Sequence, residues 1–197
     1  MKKMKEFRKI SVIGLGLIAS SICLTLRQKD PTIKLLGYDK DVAVRNRAKK
    51  IGLCEVESNL DNAVSGSQLI VLCVPVGQMQ AVTRRLKKII EPGTTITDVG
   101  SVKLSVIEEI ESNIESVGGK YVPSHPIAGT ERSGPDAGYA GLFEGRWCIL
   151  TPTRKTNKKA LNSLETFWKF LGMQTKIMTP EHHDLVLAVT SHAPHLI

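Results

Sequence analysis

The sequence predicts an α/β fold in which a mostly parallel sheet is covered by helices on both faces. Apolar segments of strand length alternate with segments of helical periodicity along almost all of the 197 residues, a pattern typical of repeated βαβ units. One strand segment, Gln68–Val74, is apolar throughout (QLIVLCV), as expected for a strand that is buried on both faces. The fold class is therefore a Rossmann-like, doubly wound sheet.

The first predicted unit carries a glycine-rich turn. Residues 9–20 read KISVIGLGLIAS, which predicts a strand (Lys9–Ile13), a tight turn and the start of a helix (Leu17–Gln28). In dinucleotide-binding turns the glycines allow special backbone angles and close approach to a pyrophosphate, and the small Ala19 lets the helix pack on the strand. The first helical turn also offers free N–H groups and the positive dipole end. The alternative is an ordinary glycine-rich turn. The residues predicted to bind the dinucleotide here are Gly14, Leu15, Gly16, Leu17 and Ile18.

The second predicted strand, Ile33–Tyr38, is followed by Asp39. Asp39 lies 20 residues after Ala19, where dinucleotide-binding domains carry a carboxylate that accepts hydrogen bonds from the adenosine ribose. Because this carboxylate would repel a 2′-phosphate, NAD is favoured as the cofactor. The alternative role of Asp39 is a helix cap. NADP stays open because basic residues lie close by in sequence: Lys40, Arg45 and Arg47.

The rest of the chain continues the alternation. Further strands are predicted over Cys54–Glu57, Gln68–Val74, Thr94–Val99, Lys120–Pro123, Arg146–Leu150 and Met173–Met178. Further helices are predicted over 41–50, Leu60–Val64, Gln78–Ile90, Lys103–Val117 and Asn157–Leu171.

Two segments depart from this alternation. Ser124–Gly145 is rich in glycine and proline and lacks periodicity, so we predict a long loop with a functional role. Thr179-Pro180-Glu181 is a favourable helix start, with a cap residue, a proline and an acid in order. We place the domain boundary there, with an NAD-binding domain over 1–179 and the start of a helical domain over 180–197.

Candidate cofactor-binding residues (Val74, Pro75 and Ser101) and catalytic residues (Ser101 and His125) follow predicted strands. Ligands of open α/β sheets lie over the carboxyl ends of the strands, which points to Val74, Pro75 and Ser101. Ser101 can hydrogen-bond a nicotinamide or a substrate hydroxyl, or it can cap a helix. His125 opens the long loop after Lys120–Pro123, and imidazole is the natural base near neutral pH. The alternative is a structural histidine.

Other function classes find little support. The four cysteines show no C-x-x-C spacing and are predicted to be reduced, mostly buried thiols. His192 and His195 are three residues apart, but Pro194 lies between them and no H-E-x-x-H motif accompanies them, so no metal site is predicted. His182 and His183 are predicted to be surface residues at a helix start.

Charge and hydropathy restrict partners and location. The net charge is +8, but aromatic residues make up only 5% and no nucleic-acid-reading motif is present, so a solvated basic surface that attracts small anions is expected rather than nucleic-acid binding. No apolar run approaches the ~20 residues of a membrane span, and the basic N-terminus is not followed by the apolar region of a signal peptide. We expect a cytoplasmic protein without a membrane partner.

Seven blocks together resemble the prephenate/arogenate (cyclohexadienyl) dehydrogenases of tyrosine biosynthesis. They are GLGLIAS, GYDKD, VLCVPV, TDVGSVK, SHPIAGTE, LFEGRWCILTP and PEHHDLVLAVTSHAPHLI, within residues 8–197. The resemblance implies an NAD(P) domain followed by an all-helical domain that forms a homodimer and completes the substrate pocket. It also implies an oxidative decarboxylation, in which the ring carbinol carbon loses a hydride, its hydroxyl loses a proton and the ring carboxylate leaves as CO2.

The resemblance also assigns roles to residues. His125 matches the catalytic histidine that takes the proton of the ring hydroxyl, and Ser101 matches the serine placed between that hydroxyl and the nicotinamide. Substrate-binding roles are implied for Thr130, Glu131, Ser191, His192 and His195.

Two departures from the family pattern bear on function. Ala19 replaces a fingerprint glycine, and the chain ends at Ile197, before the helical domain with its carboxylate-binding arginine. We therefore expect an unpartnered apolar helix face at Leu185, Val189 and Leu196. Two alternatives stay open: a truncated NAD-binding remnant without turnover, and a different hydroxy-acid or imine dehydrogenase on the same cofactor domain.

Overall fold

The computed structural model describes residues 3–192, of which 189–192 are described as backbone only. This part of the chain contains nine strands and seven α-helices. The strands are β1 (Lys9–Ile13), β2 (Lys34–Tyr38), β3 (Glu55–Val56), β4 (Leu69–Leu72), β5 (Thr95–Asp98), β6 (Lys120–Tyr121), β7 (Ser124–Pro126), β8 (Trp147–Leu150) and β9 (Gln174–Ile177). The helices are α1 (Leu17–Lys29), α2 (Val42–Lys50), α3 (Leu60–Val64), α4 (Val76–Leu86), α5 (Leu104–Glu115), α6 (Lys158–Leu171) and α7 (Pro180–His192).

Six strands form a parallel sheet in the order β3-β2-β1-β4-β5-β6. The order reverses at β1, which pairs with β2 on one side and β4 on the other, and such a switch point opens a crevice at the carboxyl ends of the strands. All four residues of β4 are fully buried, as its continuous apolar run predicts. The predicted doubly wound fold is confirmed.

The second sheet was not predicted. It has three strands in the order β7-β8-β9, with β7 antiparallel to β8 and β8 parallel to β9. The prediction of one continuous loop over Ser124–Gly145 is therefore wrong at its start, because β7 occupies Ser124–Pro126. A three-residue strand is too short to show alternation of apolar and polar residues. Pro126 also argued against a strand, because proline is confined to edge strands, strand starts and bulges. The rest of the segment contains a short 3₁₀ turn at Pro135–Ala137.

Apolar side chains fill both sides of the parallel sheet. One buried cluster joins α1 and α6 to β1, β2 and β8, and the other joins α3, α4 and α5 to β4 and β5. Phe167 and Trp168 of α6 are fully buried and pack edge-to-face with their rings 5.2 Å apart. Full burial of an aromatic side chain of this size stabilises the fold by about 3 kcal/mol. The two clusters explain why helices cover both faces.

The segment after β7 is fastened to α1 and α2. A Cβ on Gly138 would lie 2.9 Å from the backbone of Ser20 and Ser21, so the loop backbone touches α1 directly. The backbone N–H of Tyr139 donates to the Ser21 hydroxyl at 3.1 Å. The Arg47 Nε of α2 donates to both carboxylate oxygens of Asp136 at 2.9 and 2.8 Å. The loop is thereby positioned beside the helices that follow β1 and β2.

Several smaller predictions can be compared with the structure. All four cysteines are free thiols, two buried and two half-buried. Helix α4 spans Val76–Leu86 rather than the predicted Gln78–Ile90, because Pro75 starts it directly. Leu185 of α7 is 64% exposed, as expected, whereas the side chain of Val189 and all of Leu196 lie outside the described residues. Within residues 3–192, no helix combines the length and apolarity needed to cross a membrane.

Candidate active site

The glycine turn has the geometry that its sequence predicts. Gly14 adopts φ +92°, and a Cβ there would lie 2.8 Å from the carbonyl group of Cys73, the residue after β4. Gly16, by contrast, has no atom within 4 Å of where its Cβ would be. No side chain caps the first turn of α1. The backbone N–H groups of this turn, which have no acceptor within the helix, are therefore not bound by a capping side chain. The turn thus combines a tight crossing at Gly14 with open space at Gly16.

Asp39 ties the glycine turn to α2. One carboxylate oxygen accepts the backbone N–H of Leu15 at 2.8 Å, and the other accepts that of Asp41 at 2.9 Å. The cap of α2 is Asp41, whose side chain accepts the N–H of Ala43 at 2.7 Å. The proposed alternative, Asp39 as the helix cap, is therefore wrong. The carboxylate lies beside the turn at the end of β2, with lone pairs to spare for further donors.

A buried ion pair lies at the end of β5. Asp98 and Lys103 form a salt bridge in which both side chains are 0% exposed. Asp98 also accepts from the backbone N–H of Gly100 at 2.8 Å and from the Tyr121 hydroxyl at 2.7 Å. Lys103 also donates to the backbone carbonyl of Ser124 at 2.8 Å. Each charge therefore has several partners, which a buried ion pair requires.

The start of α5 shows which of two predicted roles, helix cap or ligand contact, is open to Ser101. Ser101 is exposed just after β5, and no side chain on α5 or its cap residue caps that helix. The cap comes from Asp184 of α7, whose carboxylate accepts the backbone N–H groups of Lys103 at 2.8 Å and Leu104 at 3.0 Å. Ser101 is thus not the helix cap, and its hydroxyl remains a candidate for ligand contact. Val74 and Pro75 lie half-buried and exposed at the end of β4.

His125 is buried on β7, with only 9% of its surface exposed. Its Nδ1 lies 2.9 Å from Nε2 of His183. Burial, and then the positive charge of Lys103, lower the pKa of His125 to about 4. The ring is therefore neutral near neutral pH, in the protonation state of a base.

His183 is the functional residue that the sequence missed. The prediction that it lies at the surface is wrong, because its side chain is 0% exposed, whereas His182 is exposed as predicted. Nδ1 of His183 lies 2.7 Å from Oδ1 of Asp184. The first turn of α7 packs against the start of α5, and the His183 ring lies edge-on to the ring of His125, with the ring centroids 5.2 Å apart. The available sequence signal was the stretch His182-His183-Asp184, which places a carboxylate next to a histidine just after a helix start.

Comparison with known proteins places this chain. Residues 22–177 match the family described as "Prephenate dehydrogenase, nucleotide-binding domain". The chain belongs to the prephenate dehydrogenase family. It is 41% identical over 195 residues to a cyclohexadienyl dehydrogenase of Zymomonas mobilis, covering 98% of this chain and 66% of that protein. It is 34% identical to a prephenate dehydrogenase of Bacillus subtilis, covering 100% and 53% respectively.

A solved structure gives the same result. The prephenate dehydrogenase from A. aeolicus, in complex with hydroxyphenyl propionate and NAD+, superposes with a TM-score of 0.90 at 31% identity, over 98% of this chain and 68% of that one. The chain thus spans between about half and two thirds of the length of these relatives. The resemblance seen in the sequence blocks is confirmed at the level of the family and the fold.

The other predicted substrate residues are described only in part. Thr130 and Glu131 line a surface pocket together with Arg132, Ala137 and Tyr139. The backbone of Ser191 and His192 lies in the last turn of α7, and their side chains are outside the described set. His195 lies outside the described residues altogether. Between residues 3 and 192, no cluster of three or more His, Cys, Asp and Glu side chains could hold a metal ion.

Proposed function

We propose that this protein is an NAD-dependent dehydrogenase that converts prephenate, arogenate or both by oxidative decarboxylation, in the pathway to tyrosine. The observation that carries the proposal is His125, a buried and neutral imidazole. The hydroxyl of the preceding residue, Ser124, is hydrogen-bonded to Thr97 and Asp98 at the carboxyl end of β5. His125 lies in the SHPIAGTE block of a prephenate dehydrogenase family member.

The residues of the first two βα units fit NAD. The open space at Gly16 and the uncapped first turn of α1 leave room and N–H donors for a pyrophosphate. Asp39, beside the glycine turn, would accept hydrogen bonds from ribose hydroxyls, and Val74 and Pro75 would border the cofactor at the end of β4. When bound, NAD accepts the hydride of the reaction.

The selection of NAD over NADP follows from charges near Asp39. The Arg45 guanidinium donates to the backbone carbonyl of Asp39 at 2.6 Å and lies over the ring of Tyr38. Arg47 is bound to Asp136. Both arginines already have partners, while the Asp39 carboxylate repels a 2′-phosphate.

The base would come from the second sheet, and a contact to the substrate hydroxyl would come from the residues after β5. His125 would accept the proton of the ring hydroxyl as the hydride leaves the same carbon, and Ser101 would hold that hydroxyl. The bond between the ring and its carboxyl carbon then breaks and CO2 leaves. Its electron pair moves through the ring to the former hydroxyl oxygen, which takes back the proton from His125 as the aromatic phenol forms. Because aromatisation supplies the driving force, the protein mainly positions the reactants and accepts one proton.

The proposed substrate pocket draws on residues whose roles come from the family resemblance. Thr130 and Glu131 would form one wall, and Ser191, His192 and His195 would form the wall carried by α7 and its continuation. Prephenate and arogenate are anions, so the net charge of +8 favours their approach. A homodimer with a helical domain and a domain boundary after residue 179 remain parts of this proposal.

Replacing His125 by Asn tests the proposed base. We expect turnover of the full-length protein to fall by about 10²- to 10⁴-fold, the usual contribution of general base catalysis, while the NAD dissociation constant stays within about twofold, since no cofactor contact is assigned to this ring. NADH formation measures the first and calorimetry the second.

Three outcomes would count against the proposal. Equal loss of NAD affinity and turnover would assign His125 a structural role. Turnover unchanged in the variant would remove it as the base. NAD binding without NADH formation from either substrate would identify the protein as a binding module.

A further inference from the structure

We propose that His183 and Asp184 are positioning residues that hold His125 as the tautomer protonated at Nδ1, so that Nε2 is the atom that accepts the substrate proton. This inference rests on the proposed function, because it assumes that His125 is the base. It concerns two residues that lie on α7, outside both sheets.

The chain of hydrogen bonds begins at a carboxylate whose acceptor role is fixed. Asp184 accepts two backbone N–H groups, from Lys103 and Leu104, at the start of α5. The positive end of the α5 dipole favours a negative charge at this point. Burial opposes ionisation, but the hydrogen bonds from Leu104, His183 and Lys103 lower the pKa of the Asp184 carboxyl below its ordinary value. Asp184 is therefore an ionised group that can only accept.

The tautomer of His183 follows from that contact. Its Nδ1 lies 2.7 Å from Oδ1 of Asp184, and an ionised carboxylate requires a donor there, so Nδ1 carries the proton. The ring is 0% exposed. In the uncharged ring the second nitrogen, Nε2, carries a lone pair and accepts.

The tautomer of His125 follows in turn. Its Nδ1 is 2.9 Å from Nε2 of His183, and because that atom accepts, Nδ1 of His125 must donate. The lone pair of His125 is then on Nε2. In histidines of this kind, the hydrogen bond made by one ring nitrogen decides the state of the other.

A second set of contacts fixes the position of the ring. Lys103 is the common member: its backbone N–H binds Asp184, and its ammonium group binds the carbonyl of Ser124, the residue before His125. The contacts form a closed circuit from β7 through α7 and the start of α5 back to β7. The charged and titratable groups around His125 are Lys103, Asp98, His183 and Asp184.

Nitrogen-15 NMR of the histidine rings tests the tautomers directly and needs no turnover. We expect His125 and His183 both to show a protonated Nδ1 and an unprotonated Nε2 at neutral pH, assigned with the His125→Asn and His183→Gln variants. A proton on Nε2 of His125 in the unmodified protein would overturn the inference. Because this signal is read without substrate, it stands even if the proposed reaction fails.

Kinetics test the consequence for catalysis. In His183→Leu we expect kcat to fall by about 10- to 100-fold, as is typical when the partner of a functional histidine is removed, with KM within about twofold. His183→Gln places an amide oxygen where Nε2 lies and should restore most of the rate and the Nδ1-protonated signal. His182→Leu, at the exposed neighbour, is the matched control and should leave kcat unchanged.

The outcomes distinguish failure of the positioning role of His183 from failure of His125 as the base. If His183→Leu leaves both the His125 tautomer and kcat unchanged, the positioning role is wrong even though His125 is the base. If Gln restores folding, judged by the unfolding temperature, but not the tautomer or the rate, the role of His183 is structural only. If His125→Asn itself leaves turnover unchanged, the proposed function fails while the NMR result is unaffected.

Discussion

Replacing Lys103 by Met removes the ammonium group from the buried pair with Asp98. The carboxylate of Asp98 would keep two donors, the N–H of Gly100 and the hydroxyl of Tyr121, but would become an unbalanced charge at 0% exposure. Breaking a buried ion pair at one side costs about 3–5 kcal/mol. Since two hydrogen bonds to Asp98 remain, we expect the lower end, a loss of about 3 kcal/mol in the free energy of unfolding.

Denaturant unfolding measures this loss, and a second substitution identifies its cause. Adding Asp98→Asn to Lys103→Met removes the unpaired charge, so the double variant should be more stable than the single one by about 1 kcal/mol or more. Lys87→Met, at an exposed lysine after α4, is the control and should stay within about 0.5 kcal/mol of the unmodified protein. The reasoning is refuted if Lys103→Met unfolds like this control, or if the second substitution restores nothing.

Two further predictions concern acid stability and the glycine turn. The pKa of His125 is lowered to about 4 in the fold from about 6.5 in the unfolded chain, so its contribution to the free energy of unfolding is complete above pH ~6.5. About 3 kcal/mol is lost as the pH falls towards ~4. Denaturant unfolding across this range should therefore show a shallower pH dependence in His125→Asn, and an unchanged slope would contradict this cause. Gly14→Ala should lower the unfolding temperature, because φ is +92° and the new Cβ meets the Cys73 backbone at 2.8 Å. Gly16→Ala should leave the unfolding temperature unchanged and weaken NAD binding in calorimetry, because its Cβ enters open space. Similar losses of stability in both variants would show that the two glycines do not have separate roles.

The parallel sheet could be predicted because its signals are local. The apolar run that becomes β4 and the glycine turn before α1 each occupy one stretch of sequence, and each follows from rules of burial or backbone angle. Asp39 was found by its distance from that turn. Its hydrogen bond to Leu15, in contrast, joins residues 24 apart, and only the pairing of β1 with β2 brings them together.

The second sheet and the partner of His125 could not be predicted in this way. His125 was found as a candidate, but its strand has three residues and depends on pairing with β8. His183 is 58 residues away from His125 in sequence, and the stretch His182-His183-Asp184 does not tell which of the two histidines is buried. The buried ring of His183 contacts His125 of β7, and α7 packs on α5; no periodicity within a helix predicts these tertiary contacts.

The cap that Asp184 supplies to α5 also bears on how such chains can be recombined. A crossover between two relatives at Thr179 would separate the start of α5 from its acceptor and His125 from its neighbour, since both partners lie on α7. The incoming segment would have to bring a histidine and an aspartate at the same places in its first turn. A crossover that keeps these contacts therefore lies after Asp184. The four residues Glu181 to Asp184 must then come from the same relative as the two sheets.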